Sequence, residues 1–250
     1  MSNARNDKNF KRKRGQHPSF QKGVSYWDSI DATVDGVLGG YGNGSLPRVD
    51  ALGSRMFLLS LKPSLSTIVA SHRQSLPERL RQYNALDCGA GIGRVTDSVL
   101  LHLFDRVDLV ESSSHFLDAA IQASSGWRGI SDASKGVRFF KAGLQTFNPV
   151  SPPMQYSAAK GAQDFEAGYD VVWIQWVAGH LGSQELVDFL KQCAKALKHP
   201  AVPCEKSLIV LKENVLLGKR DVFDDTDSSV VRCFFNPSPL HSKSLCNWKK

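Results

Sequence analysis

From residue 83 onward, short apolar runs rich in β-branched residues alternate with stretches of helical spacing. Tyr83–Asp87, Arg106–Val110, Val137–Phe140, Tyr169–Trp176 and Ser207–Leu211 read as strands. Gly93–Phe104 reads as a helix, as does His115–Ala123, where Phe116 and Ala120 share a face. A third helix runs from an N-cap at Ser183, with Glu185 in its first turn, to Leu197. It aligns Leu186, Phe189, Leu190 and Cys193. The run Tyr-Asp-Val-Val-Trp-Ile-Gln-Trp suits the centre of a sheet, where both faces are covered. Strands alternating with helices predict a parallel, doubly wound α/β sheet. Such sheets bind ligands at the carboxyl ends of their strands. Asp87, Glu111, Gln145, Gln175 and Glu213 all fall at or just beyond those ends.

The flanks are less regular. Residues 1–22 are polar and lack periodicity, which predicts a disordered tail. Tyr26, Trp27 and Ile30 have the spacing of a short helix face. The glycine-dense stretch Thr33–Gly42 reads as a shaped loop, and Val49–Leu61 as a helix with Leu52, Met56 and Leu59 on one side. Residues 62–79 form an irregular connection. Residues 148–168, with three prolines, form an insertion loop, and 233–250 an irregular basic tail. One domain over 23–232 accounts for the rest.

Composition narrows the setting. The chain has no apolar run near the ~20 residues of a membrane helix, and no leader-like apolar start. Its cysteines, five in all, are scattered without metal spacing, which points to a reducing compartment and to neither disulfides nor zinc. Of the net charge of +7, residues 1–22 contribute +6 and 232–250 contribute +4, which leaves the body at −3. A mildly acidic body favours a cationic ligand or peptide over nucleic acid. Lys11–Arg14 is equally compatible with nuclear import and with a solvated tail, so the expected locations are cytoplasm and nucleus.

The candidate chemistry lies in Leu86-Asp87-Cys88-Gly89-Ala90-Gly91-Ile92-Gly93-Arg94. The glycine spacing is G-x-G-x-G, not the G-x-G-x-x-G that seats a pyrophosphate, and an acid precedes it. A carboxylate would repel phosphate but suits an ammonium beside a cationic sulfur. S-adenosylmethionine has both, and Arg94 is a natural partner for its carboxylate. Glu111 is placed to accept from both ribose hydroxyls, a feature that NAD binding shares.

The motifs together resemble the α-N-terminal protein methyltransferases. The resemblance runs through Tyr26-Trp27, Thr33-Val34-Asp35-Gly36, Leu38-Gly39-Gly40-Tyr41-Gly42, the glycine loop and Gly143-Leu144-Gln145. It continues in Asp170–Val177, Gly179-His180-Leu181, Lys212-Glu213-Asn214, Asp224-Asp225 and Asp227–Val230, and spans about residues 24–232. It implies a Rossmann-like class I methyltransferase sheet with an N-terminal helical extension, S-adenosylmethionine as cofactor, and a monomer acting on protein N-termini that begin X-Pro-Lys. Gly89, Arg94, Glu111, Ser112, Ser113, Leu144, Gln145 and Gln175 would then bind the cofactor. Trp27, Leu38, Trp176, Asn214 and Asp224 would bind the peptide, with Asp227 and His180 catalytic.

After Arg232 the expected final strand pair is not evident, which suggests a truncated sheet and an inactive or binding-only variant as the alternative. The spacing from Asn214 to Asp224 is also one residue longer than the family pattern. Methylation of nucleic acid or a small molecule is a weaker reading, because no Asn-Pro-Pro-Tyr follows the fourth strand.

Overall fold

The computed structural model describes residues 17–66, 82–163, 165–199, 206–217 and 220–233. The Lys11–Arg14 cluster, most of the 62–79 connection and residues 234–250 lie outside that set.

The core is one sheet in the order β4-β3-β2-β1-β5-β6. Its parallel strands are β1 (Asn84–Cys88), β2 (Arg106–Glu111), β3 (Gly136–Lys141), β5 (Val171–Gln175) and β6 (Leu208–Lys212). β1 is buried along its whole length and pairs with β2 on one side and β5 on the other. The chain therefore reverses its direction of growth between β1 and β5, and a crevice opens at that switch point. The expected doubly wound sheet is present, with one difference. The segment read as a plain insertion loop contributes β4 (Ser157–Ala158), antiparallel to β3. Two residues are too short to show alternation, so no sequence signal marks that strand.

Both faces are covered, as an all-apolar parallel strand requires. On one face Val107, Leu109, Phe139 and Trp173 pack with α3 (Leu46–Leu61), α4 (94–103) and α5 (Ser114–Ala123). On the other, Leu86, Val172 and Ile174 pack against Phe189 and Cys193 of α6 (Ser183–Ala196). Thr96–Leu100 of α4 is wound as a π-helix. α6 is capped by Gly182, not Ser183. The Glu185 carboxylate accepts from the Gly182 N–H at 2.6 Å.

Three readings change at the N-terminus. α1 (Phe20–Asp28) starts inside the segment read as tail, with Ser19 as N-cap, and ends before Ile30. The glycine-dense stretch contains a single helical turn, α2 (Val34–Val37), whose Thr33 hydroxyl accepts from the Gly36 N–H. On α3 only part of the expected apolar side faces inward, where Leu59 packs against the core. Leu52 and Met56 are exposed, while Asp50, Ala51, Ser54 and Leu58 are buried. Two polar residues face inward because partners from other elements meet them there.

Among the described residues β6 is one edge of the sheet and β4 the other. Beyond β6, β7 (Val222–Asp224) and β8 (Ser229–Val231) form a separate hairpin. Its turn holds Asp225 and Asp227, so the acidic cluster sits in a hairpin turn. Arg232 donates to the carbonyls of Ala178 and Leu181, at 2.7 Å each, and fixes the hairpin to the loop after β5. Ser228, at φ 56°, accepts from the Ser19 N–H at 2.9 Å. The hairpin thereby joins α1 to the ends of the central strands.

Candidate active site

A cleft opens at the carboxyl ends of β1, β2 and β5, with an empty volume of about 1030 Å³ including the solvent at its mouth. Its floor is the glycine loop. Gly89, Gly91 and Gly93 all have positive φ, near 60–80°, a region that side chains rarely adopt. A Cβ on Gly89 would collide with Val177, which packs where the loop turns.

Two acids stand at the strand ends. Asp87 is buried and accepts from the Thr96 hydroxyl at 2.7 Å. Burial pushes its carboxyl up to about 6, against the pull of Thr96 and the Arg94 charge. Glu111 accepts from the backbone N–H groups of Gly91, Ser112 and Ser113 at 2.7–2.8 Å. These bonds hold its carboxylate against the loop while burial raises its pKa.

Arg94 begins α4 and lines the cleft. One of its terminal nitrogens donates to Asp50 at 2.7 Å. Asp50 also accepts from the Gln175 amide at 3.0 and 3.1 Å and from the Lys212 ammonium. Burial alone would raise the Asp50 pKa, but Lys212, Arg94 and Gln175 together lower it. Trp176 follows β5 with φ 56° and so leaves the strand, although the sequence places it within the run. Its indole has the Arg94 guanidinium 5.3 Å and the Lys212 ammonium 6.0 Å from its centre. A non-glycine residue in this conformation costs ~1–3 kcal/mol and concentrates at functional sites.

A second cluster joins three distant segments. Trp27 of α1 donates its indole N–H to His180 Nε2 at 3.1 Å, and the rings meet edge to face. Nε2 accepting implies a neutral ring with its proton on Nδ1, which is buried and has no partner among the described residues. Burial depresses the His180 pKa and Asp227 opposes it. Asp227 Oδ2 lies 4.0 Å from His180 Nε2, while Oδ1 accepts from the Ser229 N–H at 3.0 Å. Asp224 and Asp227, after burial, push up the pKa of Tyr26, so the hairpin carries negative potential to α1.

The expected site residues separate as follows. Gly89, Arg94, Glu111, Ser112, Leu144, Gln145 and Gln175 line the cleft, as do Trp27, Leu38, Trp176 and His180. Ser113 does not. Its hydroxyl caps α5 and donates to Asp28 at 2.6 Å. Asp227, Asp224 and Asn214 stand outside the lining, Asn214 exposed beyond β6. Asp50 and Lys212 were not anticipated as site residues. Only an acid at an inward position of α3, seen beside the Lys that ends β6, could have signalled them.

Comparison with known proteins decides the family. A model described as "AdoMet dependent proline di-methyltransferase" matches residues 15–241. The chain belongs to this family. The match continues past Arg232, where the motifs had suggested that it ends. The chain is 38% identical over 213 residues to "N-terminal Xaa-Pro-Lys N-methyltransferase 1" of Xenopus tropicalis, covering 85% of this chain and 78% of that one. It is 34% identical over 225 residues to "Alpha N-terminal protein methyltransferase 1" of Schizosaccharomyces pombe, covering 90% and 84%. A solved SAM-dependent methyltransferase from Leishmania major superposes with a TM-score of 0.61 at 32% identity, covering 86% of this chain and 68% of that one.

The site fits the methyl donor that the family name specifies. Asp87 offers a carboxylate to an ammonium, and Arg94 a guanidinium to a carboxylate. At Glu111, Oε1 already accepts from Ser112 and Ser113, and Oε2, which accepts from Gly91, keeps capacity for a hydroxyl donor. Of the loop glycines, Gly91 leaves room beside its backbone, while Val177 and Trp127 pack against Gly89 and Gly93.

Proposed function

We propose that this protein transfers methyl groups from S-adenosylmethionine to the α-amino group of proteins beginning Xaa-Pro-Lys. The observation that carries the reading is the meeting of Trp27 and His180, 153 residues apart, at the cleft that the glycine loop opens into, with Asp227 4.0 Å from the imidazole. The names of the curated relatives supply the substrate class.

The donor supplies a methyl group made electrophilic by its sulfonium. Arg94 holds the carboxylate end, Asp87 faces the ammonium, Glu111 accepts from the ribose, and Leu144 and Gln145 line the base. Gln175 and Ser112 complete the wall. On the acceptor side, Trp27 and Trp176 present aromatic faces to a proline ring and a cation, a contact contributing ~0.5–2 kcal/mol. Leu38 supplies apolar surface. Asn214 and Asp224 contact the peptide beyond its first residue.

An α-amino group has a pKa of ~7.7–8.0, so at neutral pH it must lose a proton before it can attack. Asp227 is the residue assigned to take it. His180 is kept neutral by burial, and its Nε2 is engaged by Trp27, so it shares the proton only when that bond opens. Alignment of the two reactants contributes ~7–11 kcal/mol, and general-base help a further ~10²–10⁴-fold.

The test is incubation of the protein with S-adenosylmethionine and a peptide beginning Ser-Pro-Lys, followed by mass spectrometry. Stepwise gains of one methylene mass, abolished by blocking the peptide N-terminus, support the reading. No gain overturns it.

A further inference from the structure

The Asp50 carboxylate is 3% exposed and sits behind the cleft wall, yet it binds groups from three separate elements. Arg94 reaches it from α4, Gln175 from the end of β5 and Lys212 from the end of β6. Lys212 also donates to Ser54, one helical turn further along α3, at 2.8 Å. The Gln175 amide is orientated from its other side, because the Trp173 indole N–H donates to its oxygen at 2.9 Å. Arg94 and Lys212 are like charges that share the Trp176 ring, and the intervening carboxylate lets both stay there. A guanidinium fork with one arm fixed in this way presents its remaining N–H groups in a set direction.

We propose that Asp50 is a positioning residue for methyl-donor recognition. It holds the Arg94 fork and the Gln175 amide in the geometry that receives the amino-acid end of the donor, while the nucleoside end is held independently by Glu111, Leu144 and Gln145. This rests on the assignment of S-adenosylmethionine to the cleft. Asp50 itself does not line the cleft. Asparagine cannot replace it. Every partner of the carboxylate is a donor, so an Asn NH₂ group would face at least one of them.

Calorimetric titration separates the two ends of the ligand. S-adenosylhomocysteine carries the amino-acid end and 5′-methylthioadenosine lacks it. For Asp50→Asn, the affinity for S-adenosylhomocysteine falls at least tenfold, while that for 5′-methylthioadenosine stays within twofold of the wild type. Should Asp50→Asn lack a cooperative thermal transition, Lys212→Met is titrated in its place. Losing the second cation frees the carboxylate to shift, and the same selective weakening is expected, at threefold or more. Equal loss for both ligands, or no loss for either, in the folded variant overturns the positioning role. A wild-type protein that binds neither ligand overturns the donor assignment instead.

Discussion

At the scale of single residues, the site is built from acids whose environments differ. Asp87 is the sharpest case, with burial lifting its carboxyl to about 6. An acid whose folded pKa exceeds its unfolded value weakens the fold as pH rises from about 4 through 6, the reverse of the usual salt-bridged carboxylate. An ammonium placed beside it favours the ionised form, so binding releases a proton. Affinity for S-adenosylhomocysteine should therefore rise between pH 5 and 7 and level off above. In Asp87→Asn that slope should vanish and affinity at pH 7 should fall, while the ligand-free protein melts at a higher temperature at pH 7. Titrations across pH, together with thermal melts, check both. Asp227 makes a different prediction. For Asp227→Asn we expect turnover of a Ser-Pro-Lys peptide to fall ~10²-fold or more, with donor affinity unchanged, in single-turnover assays with parallel calorimetry. Unchanged turnover would remove Asp227 from the role of base. The glycine loop, Arg94 and Glu111 were legible in the sequence because their chemistry is local to one strand–loop–helix unit. Asp50 was not, because its partners lie 44, 125 and 162 residues away and nothing near it marks it as buried.

At the scale of elements, the parallel strands were legible because central strands are continuous apolar runs, whereas β4 and the β7–β8 hairpin are too short to carry a period. The hairpin nevertheless shapes the acceptor side. Arg232 joins it to the β5 exit loop through two carbonyls, and its own charge is partly desolvated, with burial lowering its pKa against the pull of Asp221 and Glu213. Hydrogen bonds from a charged donor contribute ~1.5–3 kcal/mol, enough to hold a three-residue ribbon in place. Arg232→Met should let the turn drift and carry Asp227 away from His180. The expected signature is a higher KM and a kcat about tenfold lower for the peptide, with affinity for S-adenosylhomocysteine within twofold of wild type. Equal loss in both would show that the hairpin supports the whole sheet and not the acceptor wall alone. α3 gives the complementary lesson. Its buried face mixes apolar Ala51 and Leu58 with the polar pair Asp50 and Ser54, while apolar Leu52 and Met56 face outward.

At the scale of the whole molecule, charge is segregated by sign. Arg94 and Lys212 surround Asp50 on one wall, leaving that group with an excess positive charge toward the cleft. Asp224, Asp225 and Asp227 occupy one hairpin, and two of them press on Tyr26 across to α1. The body between the basic ends is net negative, as the sequence already indicated. A peptide beginning Xaa-Pro-Lys carries two positive charges within three residues, its α-ammonium and its lysine, so it enters down this potential. S-adenosylhomocysteine, which lacks the sulfonium charge and is a zwitterion of zero net charge, gains far less from it. Such steering acts through solvent and is screened within a Debye length of ~8 Å at physiological ionic strength. kcat/KM for the peptide should therefore fall severalfold between low and high salt, chiefly through KM, while the affinity for S-adenosylhomocysteine changes little. Replacing the third-position lysine of the peptide by norleucine should flatten most of that dependence. Asp225→Asn, an exposed change outside the cleft lining, should reproduce part of it without altering kcat. A kcat/KM that is insensitive to salt, with both peptides alike, would mean that the acids of the hairpin act on the proton alone and play no part in drawing the substrate in.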